Sequence, residues 1–254
     1  MPFFVFGQGD IATIAHRGGR RIAPENTLAA FRAGMATGVD FLELDVHQTL
    51  DSVVVVSHDE TLDRCTDGTG RIDAMRFEDI RKFDAGSWFG AQYAAERIPT
   101  LAEALDLVHG QCGVWIELKA GGDYPGIEKR IVDLIHEKHA ESWAEVISFD
   151  GEALRKIHDL DPNIKLQKLM VSNLTLLPIY MDTGIHFGSP KKYNFVDGYC
   201  YFHRCARRGI VRKVHRWGKK MNIWTINDTE RLAKFKRRGV DGIETDDPAV
   251  FSQQ

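Results

Sequence analysis

The sequence predicts a (β/α)₈ barrel, and three observations carry that prediction. The chain has 254 residues, close to the usual size of such a barrel. Short β-rich runs, about eight of them, alternate with helical patterns, which calls for a parallel sheet with crossover helices. Charged residues recur at the C-terminal ends of those runs, where barrels carry their chemistry. The expectation is a single domain over 1–254, with an insertion at about 60–98.

The elements follow in order. Ile11 to Ala15 reads as a strand ending at His16. Pro24 to Gly38 reads as a helix with Leu28, Phe31 and Met35 on one face and Gly38 as its stop. Phe41 to Thr49 alternates apolar and polar residues, and Val53 to Val56 is a β-branched run. Whether that run belongs to the barrel or to a hairpin beside it stays open. Residues 60–98 are rich in turn formers, with a short helical pattern near Phe77 to Phe83. Thr100 and Glu103 form a capping box for a helix carrying Leu101, Ala104, Leu105 and Val108. Val114 to Leu118 is a strand, Ile127, Ile131 and Leu134 mark a helix, and Val146 to Phe149 is the next strand. Ala153 to Leu160 is a helix stopped by Pro162, and Ile164 to Met170 is a strand. Residues 171–194 read as polar and irregular. Phe195 to Tyr201, Asn222 to Ile226 and Gly242 to Thr245 complete the strands, with helices at 205–217 and 229–238.

Composition narrows the class. Charged residues make up 27% and hydrophobic ones 43%, the balance of a globular protein and not of a disordered chain. No apolar run approaches the ~20 residues that span a bilayer, and Met1 to Asp10 lacks the features of a signal peptide. The four cysteines form no CxxC pair, so reduced thiols in a cytoplasm are expected. The net charge of −3 conceals an asymmetry: 198–227 holds eight Lys/Arg and no acid, leaving 25 basic against 36 acidic residues elsewhere.

The strand ends supply the chemistry. Glu43 and Asp45 stand at i and i+2, so they share one face of their strand. If that face is inward, two acids occupy a buried space, and a cation is the cheapest compensation. Glu117 and Lys119 share a face in the same way. Three oxygen ligands without sulfur suit a hard cation, Mg²⁺ or Ca²⁺. His16 and His58 can act as general acid and base near neutral pH, and Arg17 and Lys119 can hold an anion. A single Glu-x-Asp pair usually marks a solvated face; recurrence at successive strand ends is what argues for a site.

At this point the sequence resembles the glycerophosphodiester phosphodiesterases. The likeness rests on His16-Arg17-Gly18, Pro24-Glu25-Asn26-Thr27, Glu43-Leu44-Asp45-Val46, His58-Asp59, Thr66-Asp67-Gly68-Thr69-Gly70, Ile116-Glu117-Leu118-Lys119, Trp224-Thr225-Ile226-Asn227 and Gly239-Val240-Asp241-Gly242. It spans nearly the whole chain except 171–200. The resemblance implies Glu43, Asp45 and Glu117 as ligands of one divalent cation and His16 and His58 as the acid/base pair. It implies Arg17 and Lys119 as phosphate contacts and Trp224 as a wall of the substrate pocket. The implied reaction is metal-dependent hydrolysis of glycerophosphodiesters to sn-glycerol 3-phosphate and an alcohol, through a cyclic phosphate. The implied partner is a small phosphodiester and not a nucleic acid. Two alternatives stand beside it: a lysophospholipase D or sphingomyelinase-D-like activity, and a non-catalytic phosphodiester or lipid-surface binder.

Other features have plainer readings. Asp59 either orients His58 or forms a turn. Asn26 reads as a helix-start residue, and Asp246 and His203 as structural. Trp88 and Phe89 read equally as a lip for a lipid tail or as packing inside the insertion. His136 and His139 miss the HExxH spacing by one residue. The basic helix at 205–217 reads first as a solvated outer face and second as a contact for anionic membrane.

Overall fold

A computed structural model describes residues 11–119, 124–173 and 179–251. Met1 to Asp10 lies outside them. The strands are β1 Ala12–Ala15, β2 Phe41–Gln48, β3 Val54–Val56, β4 Gly113–Leu118, β5 Ala144–Ser148, β6 Lys165–Met170, β7 Ser172–Asn173, β8 Ile179–Met181, β9 Ile185–Phe187, β10 Gly198–Phe202, β11 Lys220–Trp224 and β12 Gly242–Thr245. The helices are α1 Leu28–Ala36, α2 Phe77–Ile80, α3 Leu101–Val108, α4 Ile127–Glu137, α5 Gly151–Leu160, α6 Arg208–Arg216 and α7 Thr229–Lys236. Parallel pairing runs β1-β12-β11-β10-β6-β5-β4-β2 and closes through β1–β2, so eight strands form the predicted barrel. No helix among the described residues is long and apolar enough to cross a membrane.

Alternation along the strands builds two cores. Ile14, Phe41, Trp115, Ile147, Leu169 and Cys200 fill the barrel interior. Outward residues such as Leu42, Leu44, Val114, Ile116, Val146 and Ile223 pack under the helices. Lower in the barrel the filling is polar: Gln167 donates to Glu145 at 2.8 Å, and Asn222 donates to Gln167 at 3.2 Å. Each buried polar group there has a partner, as burial demands. α3 starts on the expected capping box, with Thr100 accepting from the Glu103 N–H and Glu103 reaching back to the Thr100 N–H.

One open question closes and three expectations change. β3 is antiparallel to β2, so the Val53–Val56 run belongs to a hairpin beside the barrel. α1 begins at Leu28 behind a Thr27 cap, not at Pro24, because Asn26 takes a left-handed φ of 59° that no helix accommodates. The 171–194 stretch is not wholly irregular: β7, β8 and β9 form a small antiparallel sheet. Lys168 anchors it. This fully buried side chain leaves the outer face of β6, donates to the Phe149 and Leu169 carbonyls, and pairs with Asp182 at 3.0 Å. The insertion has a satellite core of Val55, Leu62, Ile72, Ile80, Ala85 and Ile98, and its helix is shorter than expected.

Candidate active site

Register brings the acids inward. Glu43 lies opposite the interior Trp115, Asp45 opposite Glu117, and Glu117 opposite the interior Ile147. Glu43 and Asp45 are wholly buried and Glu117 nearly so. One oxygen from each of the three lies within 4.8 Å of the others. Lys119 Nζ is 2.9 Å from Asp45 Oδ1 and 2.6 Å from Glu117 Oε1. Glu43 Oε2 accepts the Arg17 backbone N–H at 2.8 Å, while Glu43 Oε1 is buried without a hydrogen-bond partner among the described residues.

The electrostatics separate these acids. Burial, with repulsion from Asp45, Glu244 and Glu117, pushes the Glu43 carboxyl well above its usual range. Burial also raises Glu117, against the pull of Lys119. For Asp45, burial acts upward too, but Lys119 and Arg17 overcome it and hold the group ionised. An ionised Glu43 would therefore lack a compensating charge. An all-oxygen donor set with an orphaned buried oxygen fits a hard divalent cation.

The histidines sit on the same rim, each tied to a carboxylate. His16 Nδ1 is 2.5 Å from Asp246 Oδ1. Asp246 is fixed in turn by Asn227, whose amide donates to its carboxylate at 2.7 Å. His16 Nε2 lies 3.2 Å from Arg17 Nε and 3.5 Å from Glu244 Oε1. His58 Nδ1 is 2.6 Å from Asp59 Oδ1. A carboxylate on Nδ1 fixes the ring and leaves Nε2 to exchange protons. Burial lowers the His58 pKa to about 4. Buried His47 braces this residue from behind, its Nε2 bonded to the His58 carbonyl at 3.0 Å and its Nδ1 to the Tyr124 hydroxyl at 2.9 Å.

Glu25 joins the two histidine groups. It accepts from Arg17 Nη1 at 2.7 Å and from Arg64 Nη2 at 2.8 Å, and Arg64 Nε donates to Asp59 at 2.5 Å. Arg17 occupies a left-handed turn at the end of β1, with φ 51°. Gly34 of α1 packs on that turn so closely that a Cβ there would sit 2.6 Å from the Gly18 carbonyl oxygen. Asn26 donates to Asp45 Oδ2 at 2.8 Å and accepts the Asp45 N–H at 3.3 Å.

Of the residues predicted from sequence, His16, Arg17, Glu43, Asp45, His58, Glu117 and Lys119 thus meet in one network. Trp224 stands apart, edge-on to Phe149 at 5.9 Å and tilted against Phe202 at 5.2 Å. Two plainer readings are corrected: Asn26 serves Asp45 and not a helix start, and Asp246 holds His16. Of the two readings of Asp59, the contact with His58 is the one present. Glu25, Arg64 and Glu244 were not singled out. For Glu244 and Asp246 the signal was there, since they repeat the i, i+2 spacing of Glu43 and Asp45. His203 keeps its structural reading, half-buried with Nδ1 3.3 Å from the Trp224 carbonyl. His136 pairs with Asp161 at an exposed helix end.

The model of the glycerophosphoryl diester phosphodiesterase family matches residues 16–250. The chain belongs to this family. A glycerophosphodiester phosphodiesterase of Caldanaerobacter subterraneus subsp. tengcongensis is 38% identical over 242 residues, 94% of this chain and 95% of the relative. One from Bacillus subtilis is 31% identical over 255 residues, covering 95% and 85%. Among solved structures, an Oleispira antarctica phosphodiesterase in complex with the product sn-glycerol-3-phosphate superposes with a TM-score of 0.82 at 26% identity, covering 95% of each chain. An Agrobacterium tumefaciens glycerophosphodiester phosphodiesterase gives 0.81 at 27% identity, over 96% of this chain and 100% of that one.

Proposed function

We propose that the protein hydrolyses glycerophosphodiesters to sn-glycerol 3-phosphate and an alcohol, with one divalent cation, Mg²⁺ or Ca²⁺, held by Glu43, Asp45 and Glu117. The observation that carries this reading is the pair His16–Asp246 and His58–Asp59 on the rim that holds three buried acids, one with an orphaned oxygen. The product complex of the Oleispira antarctica relative supports the same product here. When bound, the cation neutralises phosphate charge and acidifies the glycerol hydroxyl.

The chain's own residues do the rest. Arg17 spends Nη1 on Glu25 and Nε on His16, and a guanidinium with five N–H groups keeps donors for a phosphate oxygen. Lys119 adds a positive charge beside the acids. One histidine takes the proton of the glycerol 2-hydroxyl as that oxygen bonds to phosphorus, and the other protonates the departing alcohol. The cyclic phosphate is opened by water with the roles reversed. Trp224, with Phe149 and Phe202, lines an apolar side for the glycerol or alcohol carbons.

The test is glycerol 3-phosphate release from glycerophosphocholine by His16→Ala and Glu43→Ala, with circular dichroism as the fold control. Both variants should lose turnover with the fold intact. Near wild-type rates in either, with metal present, refute the mechanism.

A second reading, a lysophospholipase D or sphingomyelinase-D-like activity, draws on Ile185 and Phe187. These apolar side chains are 68% and 83% exposed on β9, in the excursion that follows β6 on the same rim. An acyl chain would cover them. Comparing turnover of glycerophosphocholine and lysophosphatidylcholine separates the readings. Anionic membrane would meet α6, where Arg212, His215 and Arg216 line one open concavity; flotation with anionic liposomes tests that contact.

A further inference from the structure

We infer that Glu244 is a fourth carboxylate ligand of the divalent cation and that it biases the site toward Ca²⁺ over Mg²⁺. This rests on the reading of Glu43, Asp45 and Glu117 as a cation site.

Glu244 lies on β12 opposite Ile14, which points into the barrel, so Glu244 points inward as well. It is 4% exposed. Glu43 belongs to two groups of ligand atoms, each within 4.8 Å of one another: one with Asp45 and Glu117, the other with His16 and Glu244. Glu43 is therefore the member that the two groups share, with Glu244 on its far side from Asp45 and Glu117.

The compensation across that cluster is lopsided. Asp45 and Glu117 both face Lys119, and Asp45 also faces Arg17 Nε at 3.4 Å. On the other side, Glu244 faces one ring nitrogen of His16, at 3.5 Å. Glu43 Oε1, wholly buried, has no hydrogen-bond partner among the described residues. Two buried carboxylates side by side, with one histidine beside them, repel each other unless a proton or a cation intervenes. His16 Nε2, the nitrogen that faces Glu244, already accepts from Arg17 Nε at 3.2 Å, so it is not free to be that cation's main ligand.

The ligand count sets the preference. Mg²⁺ keeps several waters and is bound through one or two carboxylates, whereas Ca²⁺ takes six to eight oxygens in a flexible shell. Carboxylates drawn from two adjoining groups suit the larger ion, whose longer bonds reach more widely spaced ligands. The lysine and arginine on the Asp45 side would then leave the Glu43–Glu244 side as the one richest in free oxygens.

The experiment is calorimetric titration of Ca²⁺ and Mg²⁺ into the full chain without substrate, for wild type, Glu244→Gln, Glu244→Asp and Glu43→Gln. Melting curves with and without Ca²⁺ report folding and binding together. Glu244→Gln should weaken Ca²⁺ by at least about 10-fold, the lower end of what loss of supporting groups costs a metal site, and weaken Mg²⁺ less. Glu244→Asp, which keeps the charge on a shorter arm, should fall between and guards against misfolding of the Gln variant. Ca²⁺ affinity of Glu244→Gln within about twofold of wild type overturns the ligand assignment, and equal losses for both ions overturn the preference. Binding in wild type that is lost in Glu43→Gln but kept in Glu244→Gln refutes Glu244 alone. No binding of either ion by wild type refutes the underlying cation site as well.

Discussion

Replacing Arg64 by Met tests whether the insertion supports the site. The guanidinium bonds Glu25 at 2.8 Å and Asp59 at 2.5 Å, and Met keeps most of its aliphatic length. Burial alone would raise the Glu25 carboxyl, yet hydrogen bonds and charge from Arg64 and Arg17 hold it at about 2 against an ordinary 4.5. That depression corresponds to about 3 kcal/mol at ~1.4 kcal/mol per unit. Two arginines share it, so Arg64 accounts for roughly 1.5 kcal/mol there. Asp59 is a third exposed, so solvent screening limits its part to well under ~1 kcal/mol. The expected loss is about 2 kcal/mol, or a fall in Tm of about 4–8 °C for a chain of this size. The sign with pH follows from the lowered carboxyl. Its contribution is fully present above the unfolded value near 4.5 and is lost as pH falls toward about 2. The gap between wild type and Arg64→Met, read by urea unfolding, should therefore be widest at neutral pH and close in acid. Turnover should fall too, because Asp59 loses the partner that aims it at His58. Neutral-pH melting within about 1 °C of wild type, or full activity, would refute the reasoning.

Three further outcomes are expected. Asp246→Asn replaces the carboxylate that fixes His16 with a neutral amide and should lower kcat by roughly 10²–10⁴, measured by steady-state kinetics. Because burial holds His58 neutral down to about 4, the acid limb of activity due to His58 should extend toward pH 4 rather than breaking near 6.5. Since the unfolded chain binds that proton first, stability from this group should rise with pH between those values; a pH–rate profile and urea melts at several pH values check both. Gly34→Ala would press a methyl group against the Gly18 carbonyl 2.6 Å away. It should cost about 1–3 kcal/mol and reduce kcat by shifting the turn that carries His16 and Arg17.

The strand-based parts of the site were legible because the side-chain period on a strand is two. Glu43-x-Asp45 and Glu117-x-Lys119 could be placed on one face without any structure. Glu244-x-Asp246 carried the same signal, but Asp246 takes its meaning from Asn227 and His16, residues remote in the chain. Glu25 and Asn26 were hidden by a helical pattern that runs through them, since nothing local announces that Asn26 adopts φ 59°. Arg64 looked like one charge among many in a turn-rich segment; only the fold sets it against Glu25. The barrel followed from strand–helix alternation, while the direction of β3 did not, because an apolar run reads the same parallel or antiparallel. Strands of two or three residues such as β7 to β9 are too short for any period to show.

The two long excursions from the barrel differ as material for building chimeras. The β7–β9 sheet is moored by Lys168 and Asp182 on the outer side of β6, so a foreign loop could replace it if one acid were kept to meet that lysine. The 60–98 segment is not exchangeable on such terms. Arg64 reaches from it to Asp59, which holds His58, and to Glu25, which holds Arg17, and a transplanted loop without that arginine would disturb both. The β6–β10 excursion can therefore be exchanged with less disturbance to the histidine network than the β3–β4 one.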